Sequence, residues 1–195
     1  NLKCSPCFMD ANHVLYVHEL SMDEIRHILN RARSLKPQRD INLLFSGGEP
    51  TIALHFLDAV RHAKSLGFER VCVVTNGVRF GQEEDFAAKA HAAGLHQVYL
   101  QLDGTSNEQH LHRGAGNLFD VKREALERIA RTGMKTNLQV TVIMNGVNNH
   151  VVGDIVRFAV YNIDKVRSVL FQPLMFTGRD SGVPDDVRRA RRNRR

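Results

Sequence analysis

The sequence predicts an α/β fold in which parallel strands curl into a partial barrel. Three observations predict it. Short apolar runs alternate with helical patterns along the chain. Each run ends in polar or glycine residues: Gly47-Gly48-Glu49, Thr75-Asn76-Gly77, Gln101 with Asp103-Gly104, Asn145-Gly146, and Gln172-Pro173. Parallel α/β folds place their sites at strand C-terminal ends, and five such ends suit a ring around one pocket. Third, a dinucleotide-binding sheet would concentrate glycines as G-x-G-x-x-G after its first strand, and that motif is absent.

The elements follow in order. Residues 23–34 read as a first helix. The run 41–45 is short, apolar and stopped by Gly47-Gly48, as a buried strand is. Residues 52–66 put Leu54, Leu57, Val60 and Ala63 at helical spacing, with Gly67 as the cap. Val71-Cys72-Val73-Val74 is the next strand. Residues 83–93 form an Ala-rich helix that stops at Gly94. A strand over 98–102 leads to a helix over 118–132, ended by Gly133. A strand over 137–143, a helix over 151–161 and a strand over 169–171 complete the series. The near-continuous apolar strands argue a parallel sheet with helical crossovers. A further strand ahead of Asn1 would make six βα units. The expected architecture is therefore a partial (β/α)6 TIM-like barrel over residues 1–180, followed by an Arg-rich tail over 181–195.

Composition narrows the function classes. At 195 residues the chain fits one domain, and 43% hydrophobic with 25% charged residues is ordinary for a globular protein. No apolar run approaches the ~18 residues of a membrane span, so no transmembrane segment is expected. The formal net charge is +6, and six arginines lie in the last eight residues. Without them the body is neutral, so no nucleic acid partner is expected. The tail reads as a solvated end, with phosphate or anionic lipid contact as the alternative. Three cysteines are too few for a disulfide framework. The spacing of Cys4 and Cys7 points to metal or redox chemistry in a reducing, cytoplasmic compartment.

Cys4 and Cys7 form a C-x-x-C pair. By itself this suits an iron–sulfur cluster, half of a zinc site, a redox pair or a structural role. For zinc, the remaining candidates are Cys72, His13 and His18. Forty-odd residues on comes Ser46-Gly47-Gly48-Glu49-Pro50-Thr51. Gly47 and Gly48 let a ligand approach the backbone. Glu49 offers a carboxylate to an ammonium group, and Pro50 suits the start of a helix. An isolated motif of this kind is also an ordinary βα turn.

Together, the cysteine pair and Gly47-Gly48-Glu49-Pro50 resemble the radical S-adenosylmethionine (SAM) superfamily. A cysteine just before Asn1 would complete its C-x-x-x-C-x-x-C signature, so the chain reads as starting after the first ligand. The resemblance implies a [4Fe–4S] cluster held by three cysteines, SAM chelated to the open iron, and one-electron cleavage to a 5′-deoxyadenosyl radical. By that match Cys4 and Cys7 are metal ligands and Glu49 meets the SAM ammonium. Phe8, Gly47, Gly48, Pro50, Thr75 and Asn76 line the cofactor, Gln101 and Asp103 face the ribose region, and Arg113 lies near the SAM carboxylate. Pro6 stands where many members place an aromatic against adenine, and Phe8 is its partial substitute. A Glu49→Gln change, keeping the size, is expected to leave folding little altered.

Finer runs are similar to one branch of that superfamily. They are Cys7-Phe8-Met9-Asp10-Ala11, Val98-Tyr99-Leu100-Gln101-Leu102-Asp103-Gly104, Asn145-Gly146-Val147-Asn148, and the stretch from Phe171 through Gln172-Pro173 to Arg179. The branch contains archaeal tetraether lipid synthase and pterin-methylating enzymes. It implies carbon–carbon bond formation or methylation on a lipid or pterin, that is a small-molecule or lipid substrate, with a reductase or ferredoxin as electron donor. Competing readings are a peptide- or sulfatase-modifying maturase, a zinc-binding module with a nucleic-acid-contacting tail, and an inactive barrel. Among the remaining residues, Cys72 reads as core, His110 and His112 as a solvated loop with pocket lining as the alternative, and Gln172 and Arg179 as loop residues or substrate contacts.

Overall fold

The structure, a computed structural model, describes residues 1–5, 7, 18–143 and 148–174. Pro6, Phe8, the Asn145-Gly146 strand end, Arg179 and the tail over 181–195 lie outside the described residues. Five strands form one sheet: β1 (Asn42–Phe45), β2 (Arg70–Thr75), β3 (Gln97–Gln101), β4 (Lys135–Val142) and β5 (Val166–Pro173). Their spatial order is their chain order, and every neighbouring pair is parallel. Sequential parallel order is how a (β/α) barrel wall grows, whereas an open doubly wound sheet reverses its order part way. The expected α/β class and the five strands are therefore as the sequence predicts. Among the described residues no helix is long and apolar enough to cross a membrane.

Helices fill the crossovers. α1 (Met22–Ser34) precedes β1 and opens with a reciprocal cap between Ser21 and Glu24. α2 (Phe56–Ser65) lies between β1 and β2. The helix expected over 52–66 starts later than its apolar spacing suggests. Glu49 caps a short 3₁₀ turn over Pro50–Ile52, and the chain bends before α2, so Leu54 is 83% exposed. The helix expected over 83–93 is α4 (Phe86–Ala93), and a short helix that the sequence did not announce, α3 (Val78–Gln82), precedes it. The Asn76 side chain accepts from Val78 N–H at 2.9 Å and so starts α3 directly after β2. α5 (Leu118–Arg131) and α6 (Val152–Tyr161) follow the prediction closely.

The core lies between the sheet and these helices. Val71, Val73, Val98, Leu100 and Leu138 point into it from the strands, and Phe56, Phe80, Phe86, Leu126 and Ile129 meet them from the helices. Each fully buried side chain of this size contributes roughly 1.5–3 kcal/mol. The sheet is not apolar on both faces, which corrects the expectation of near-continuous apolar strands. Side chains alternate along β3 and β4, so Tyr99, Gln101, Asn137, Gln139 and Thr141 occupy the face away from the helix-side cluster. That face is polar and carries Gln172 of β5, whose Oε1 accepts from Gln139 Nε2 at 2.6 Å. Cys72 is 5% exposed, as expected of a core residue, and burial pushes its thiol up.

Candidate functional site

The strand C-terminal ends are joined by side chains. At β1, Glu49 Oε1 accepts from Thr51 N–H (3.1 Å), Thr51 Oγ1 (2.6 Å) and Thr75 Oγ1 (2.8 Å). Its Oε2 accepts from Asn76 N–H at 2.7 Å. One carboxylate thus ties the end of β1 to the end of β2. An ionised carboxylate has about four acceptor positions, and Oε2 uses one of its own here. Glu49 is a structural tie as well as a carboxylate at the rim, which the motif alone did not disclose. Pro50 is the first residue of the capped 3₁₀ turn, and a Cβ added at Gly47 would meet nothing within 4 Å.

The end of β3 is organised around Asp103, which has no solvent exposure. Oδ2 accepts from Arg113 Nε (2.7 Å), Arg113 Nη2 (2.6 Å) and His112 Nε2 (2.9 Å), while Oδ1 accepts from Thr141 N–H (2.9 Å). Burial acts to raise this carboxyl, but the Arg113 guanidinium and the His112 hydrogen bond outweigh it and hold it far below the usual range. Burial likewise works against the Arg113 cation, and Asp103 and Cys4 beside it more than compensate. Asp103 and Arg113, expected at the ribose and at the SAM carboxylate, are thus paired with each other through Nε and Nη2 of the guanidinium.

His110 and His112 do not form a solvated loop. They lie in a 3₁₀ stretch over Glu108–Arg113, and His110 is fully buried. Asp103 N–H donates to His110 Nε2 at 3.2 Å, so Nδ1 carries the proton and donates to Ser106 O at 2.9 Å. Burial, then the neighbouring Lys122 cation, pushes this imidazole down to about 4. Asn148 closes the site from the other side. Its Nδ2 donates to Asp103 O (3.0 Å) and Thr141 O (2.8 Å), and its Oδ1 accepts from Ile143 N–H (2.7 Å).

The cysteine arm rests on this platform. Cys4 Sγ lies 3.8 Å from Arg113 O and is hydrogen-bonded to the Arg113 side chain. Ser5 N–H donates to His112 O at 2.8 Å, and Asn76 Nδ2 donates to Asn1 Oδ1 at 2.9 Å. Gly114 has φ +83°, and a Cβ there would lie 3.0 Å from Lys3 O. Its missing side chain is the space the arm crosses. Cys4, Glu49, Thr75, Asn76, Asp103 and Arg113 are thus linked at one rim. Cys7 is half-buried, and neither thiol is in a disulfide.

Sequence reasoning missed Lys122. Its side chain is buried, and Nζ donates to Gln101 O (2.5 Å) and Gln101 Oε1 (2.6 Å). Burial first, eased by Asp103, pushes this ammonium down to about 7. The signal was present: Lys122 sits among Leu118, Ala125, Leu126 and Ile129, a cation on an apolar helical stripe. Asn148 stood in the Asn145-Gly146-Val147-Asn148 run, but its structural role was not legible, because its partner Asp103 lies 45 residues away at another strand end.

Cys4 and Cys7 offer soft sulfur ligands, which fit an iron–sulfur cluster and zinc alike, and among the described residues no group of three or more His, Cys, Asp or Glu comes together. At the end of β3, Gln101 Nε2 is buried with no hydrogen-bond partner among the described residues.

Comparison with known proteins agrees with this geometry. Residues 1–159 match the family described as the Radical SAM superfamily. The chain is 35% identical over 179 residues to 7,8-dihydro-6-hydroxymethylpterin dimethyltransferase of Methanocaldococcus jannaschii, covering 92% of the chain and 35% of that protein. It is 30% identical over 187 residues to Fe-coproporphyrin III synthase of Methanosarcina barkeri, covering 95% of the chain and 44% of that protein. The chain therefore spans less than half the length of these relatives. The fold is similar to that of Streptococcus suis SuiB bound to S-adenosylmethionine, with a TM-score of 0.72 over 99% of the chain and 44% of SuiB at 16% identity.

Proposed function

The chain belongs to the radical SAM superfamily, and from that premise we propose that it is the cluster- and SAM-binding core of an enzyme that abstracts hydrogen from an unreactive C–H bond. The observation that carries this reading is the seating of the Cys4 arm on the Arg113–Asp103 pair, at the rim that also bears Glu49. Cys4 and Cys7 would hold the cluster. Glu49 Oε2 would take the SAM ammonium, with Gly47, Gly48, Pro50, Thr75, Asn76, Gln101 and Phe8 around the cofactor. When bound, the cluster and SAM supply one-electron chemistry that ends in hydrogen abstraction.

The chain's own residues set the conditions for it. Arg113, itself held by Asp103, fixes the arm at Cys4, so this thiol is presented from a seat tied to the end of β3. Asp103 and Arg113 hold the rim together through their paired charges. Asn148 and His110 satisfy the backbone beneath, which keeps water out of the strand ends. The core is taken as residues 1–180, with the tail over 181–195 outside it. A reductase or ferredoxin would supply electrons.

The substrate reading favours a pterin-like heterocycle, methylated or joined at carbon, with a lipid as the second candidate. Its support is the likeness to the pterin dimethyltransferase and the uncharged polar face formed by Tyr99, Gln101, Asn137 and Gln139. Carboxamides offer both donors and acceptors to a flat heterocycle. The test uses the full-length protein, reconstituted anaerobically with iron and sulfide and then reduced. Mass spectrometry should find 5′-deoxyadenosine formed from SAM, and reduced pterins should raise its yield more than peptides do. Release of S-adenosylhomocysteine alone, under every condition, would point to polar methyl transfer and overturn the reading.

A further inference from the structure

Lys122 is a buried cation to which the proposed function gives no task. It reaches from the apolar stripe of α5 to the last residue of β3, where its Nζ meets both oxygens of Gln101. An ammonium group only donates hydrogen bonds, and even a neutral amine has hydrogens for both oxygens. Gln101 must therefore turn Oε1 toward Lys122 and its NH2 group away. That group is buried and has no partner among the described residues. A buried donor left unpaired is costly, and such a group in a native fold calls for a missing acceptor.

The neighbours do not supply that acceptor. Gln139, the register partner of Gln101, is turned to Gln172 through its Nε2. Asp103 has its carboxylate filled by Arg113, His112 and Thr141 N–H. Nor is burying a lysine a cheap way to hold a glutamine, because a charge taken out of water is costly unless it is paired and hydrogen-bonded.

We propose that Lys122 is a positioning residue for the cofactor site: it locks the Gln101 carboxamide so that an N–H donor, and not an oxygen, faces the rim where SAM binds. This rests on the assignment of Gln101 to the SAM site made above. The rim then selects a ligand with an acceptor at that point, a hydroxyl oxygen or a ring nitrogen. Without Lys122 the carboxamide is free to flip, and half of its orientations present oxygen to that acceptor.

The test is SAM binding to the reconstituted full-length protein, measured by equilibrium dialysis, with iron content and melting temperature recorded for every variant. Lys122→Met keeps the length and apolar fit of the stem and should weaken binding about tenfold. Gln101→Met should weaken it by the same factor, and the double variant should be no weaker than either single one. Losses that multiply in the double variant would show that Lys122 acts without Gln101 and would overturn the proposal. Gln101→Glu provides a second arm should Lys122→Met fold poorly. It gives Lys122 a carboxylate partner, so the melting temperature should hold or rise, yet it removes the donor, so SAM binding should still weaken about tenfold. Unchanged affinity in Gln101→Glu overturns the proposal and leaves the reading of the site intact. A wild-type protein that holds its iron but binds no SAM overturns both.

Discussion

Glu49 shows how one side chain serves two purposes. Its motif marks it as a ligand carboxylate, yet it also accepts four hydrogen bonds that join the ends of β1 and β2. A Glu49→Gln change puts an NH2 donor where either Asn76 N–H or the Thr51 and Thr75 hydroxyls already donate. The expectation that folding would be little altered therefore does not survive. The variant should lose about 1–3 kcal/mol of stability, read from urea midpoints, and about tenfold or more in SAM affinity. An unchanged midpoint would show that the tie carries no weight. The dual role was not legible beforehand because Thr51 and Thr75 lie on separate elements, and only folding brings their hydroxyls to one oxygen. Lys122 is the opposite case. A charge on an apolar stripe is visible in the sequence, but its partner, the end of β3, is not.

At the scale of elements, the strands were the most legible parts. Val71-Cys72-Val73-Val74 puts Val71, Cys72 and Val73 out of solvent, as read, whereas the run ending at Phe45, expected to be buried, leaves Leu44 48% exposed. The helices were less so, because caps override periodicity. Leu57, Val60 and Ala63 do fall within α2, but Glu49 captures Pro50–Ile52 into a tighter turn and leaves Leu54 outside. The 3₁₀ stretch over Glu108–Arg113 carried no periodic signal, and it is the element on which the site depends. Its closing residue, Gly114, makes a test. Gly114→Val places a β-branched side chain at φ +83° and against Lys3 O, which costs on the order of 1–3 kcal/mol locally. The arm should lift while the sheet persists. Iron bound after reconstitution should fall by about half or more, with the far-ultraviolet circular dichroism unchanged. Full iron loading would show that the arm does not need this seat.

For the whole molecule, stability in mild acid turns on imidazoles that burial holds below their usual range, His110 above all and His96 to a lesser degree. His110 is neutral in the fold and titrates at about 4, because burial and then Lys122 oppose its charge, whereas its unperturbed value is 6.5. Between those values the unfolded chain binds the extra proton. Stability therefore rises with pH across that window and is lost as pH falls from about 6.5 to about 4. The loss should approach about 3 kcal/mol, and urea midpoints from pH 7 to pH 4 measure it. His110→Gln should flatten the slope; a slope that persists in that variant assigns the acid sensitivity elsewhere. Asp103, held low by Arg113, adds its own loss only in stronger acid. The arrangement of the molecule also sets an order of events. Cys4 precedes its partner Arg113 by 109 positions, and Asn1 precedes Asn76 by 75. Closing loops of that length has an entropic cost that is recovered only once the far ends are in place. The Cys4 thiol is therefore synthesised before its seat exists, and it stays open to solvent, and to iron and sulfide, at least until the chain has been made through Gly114.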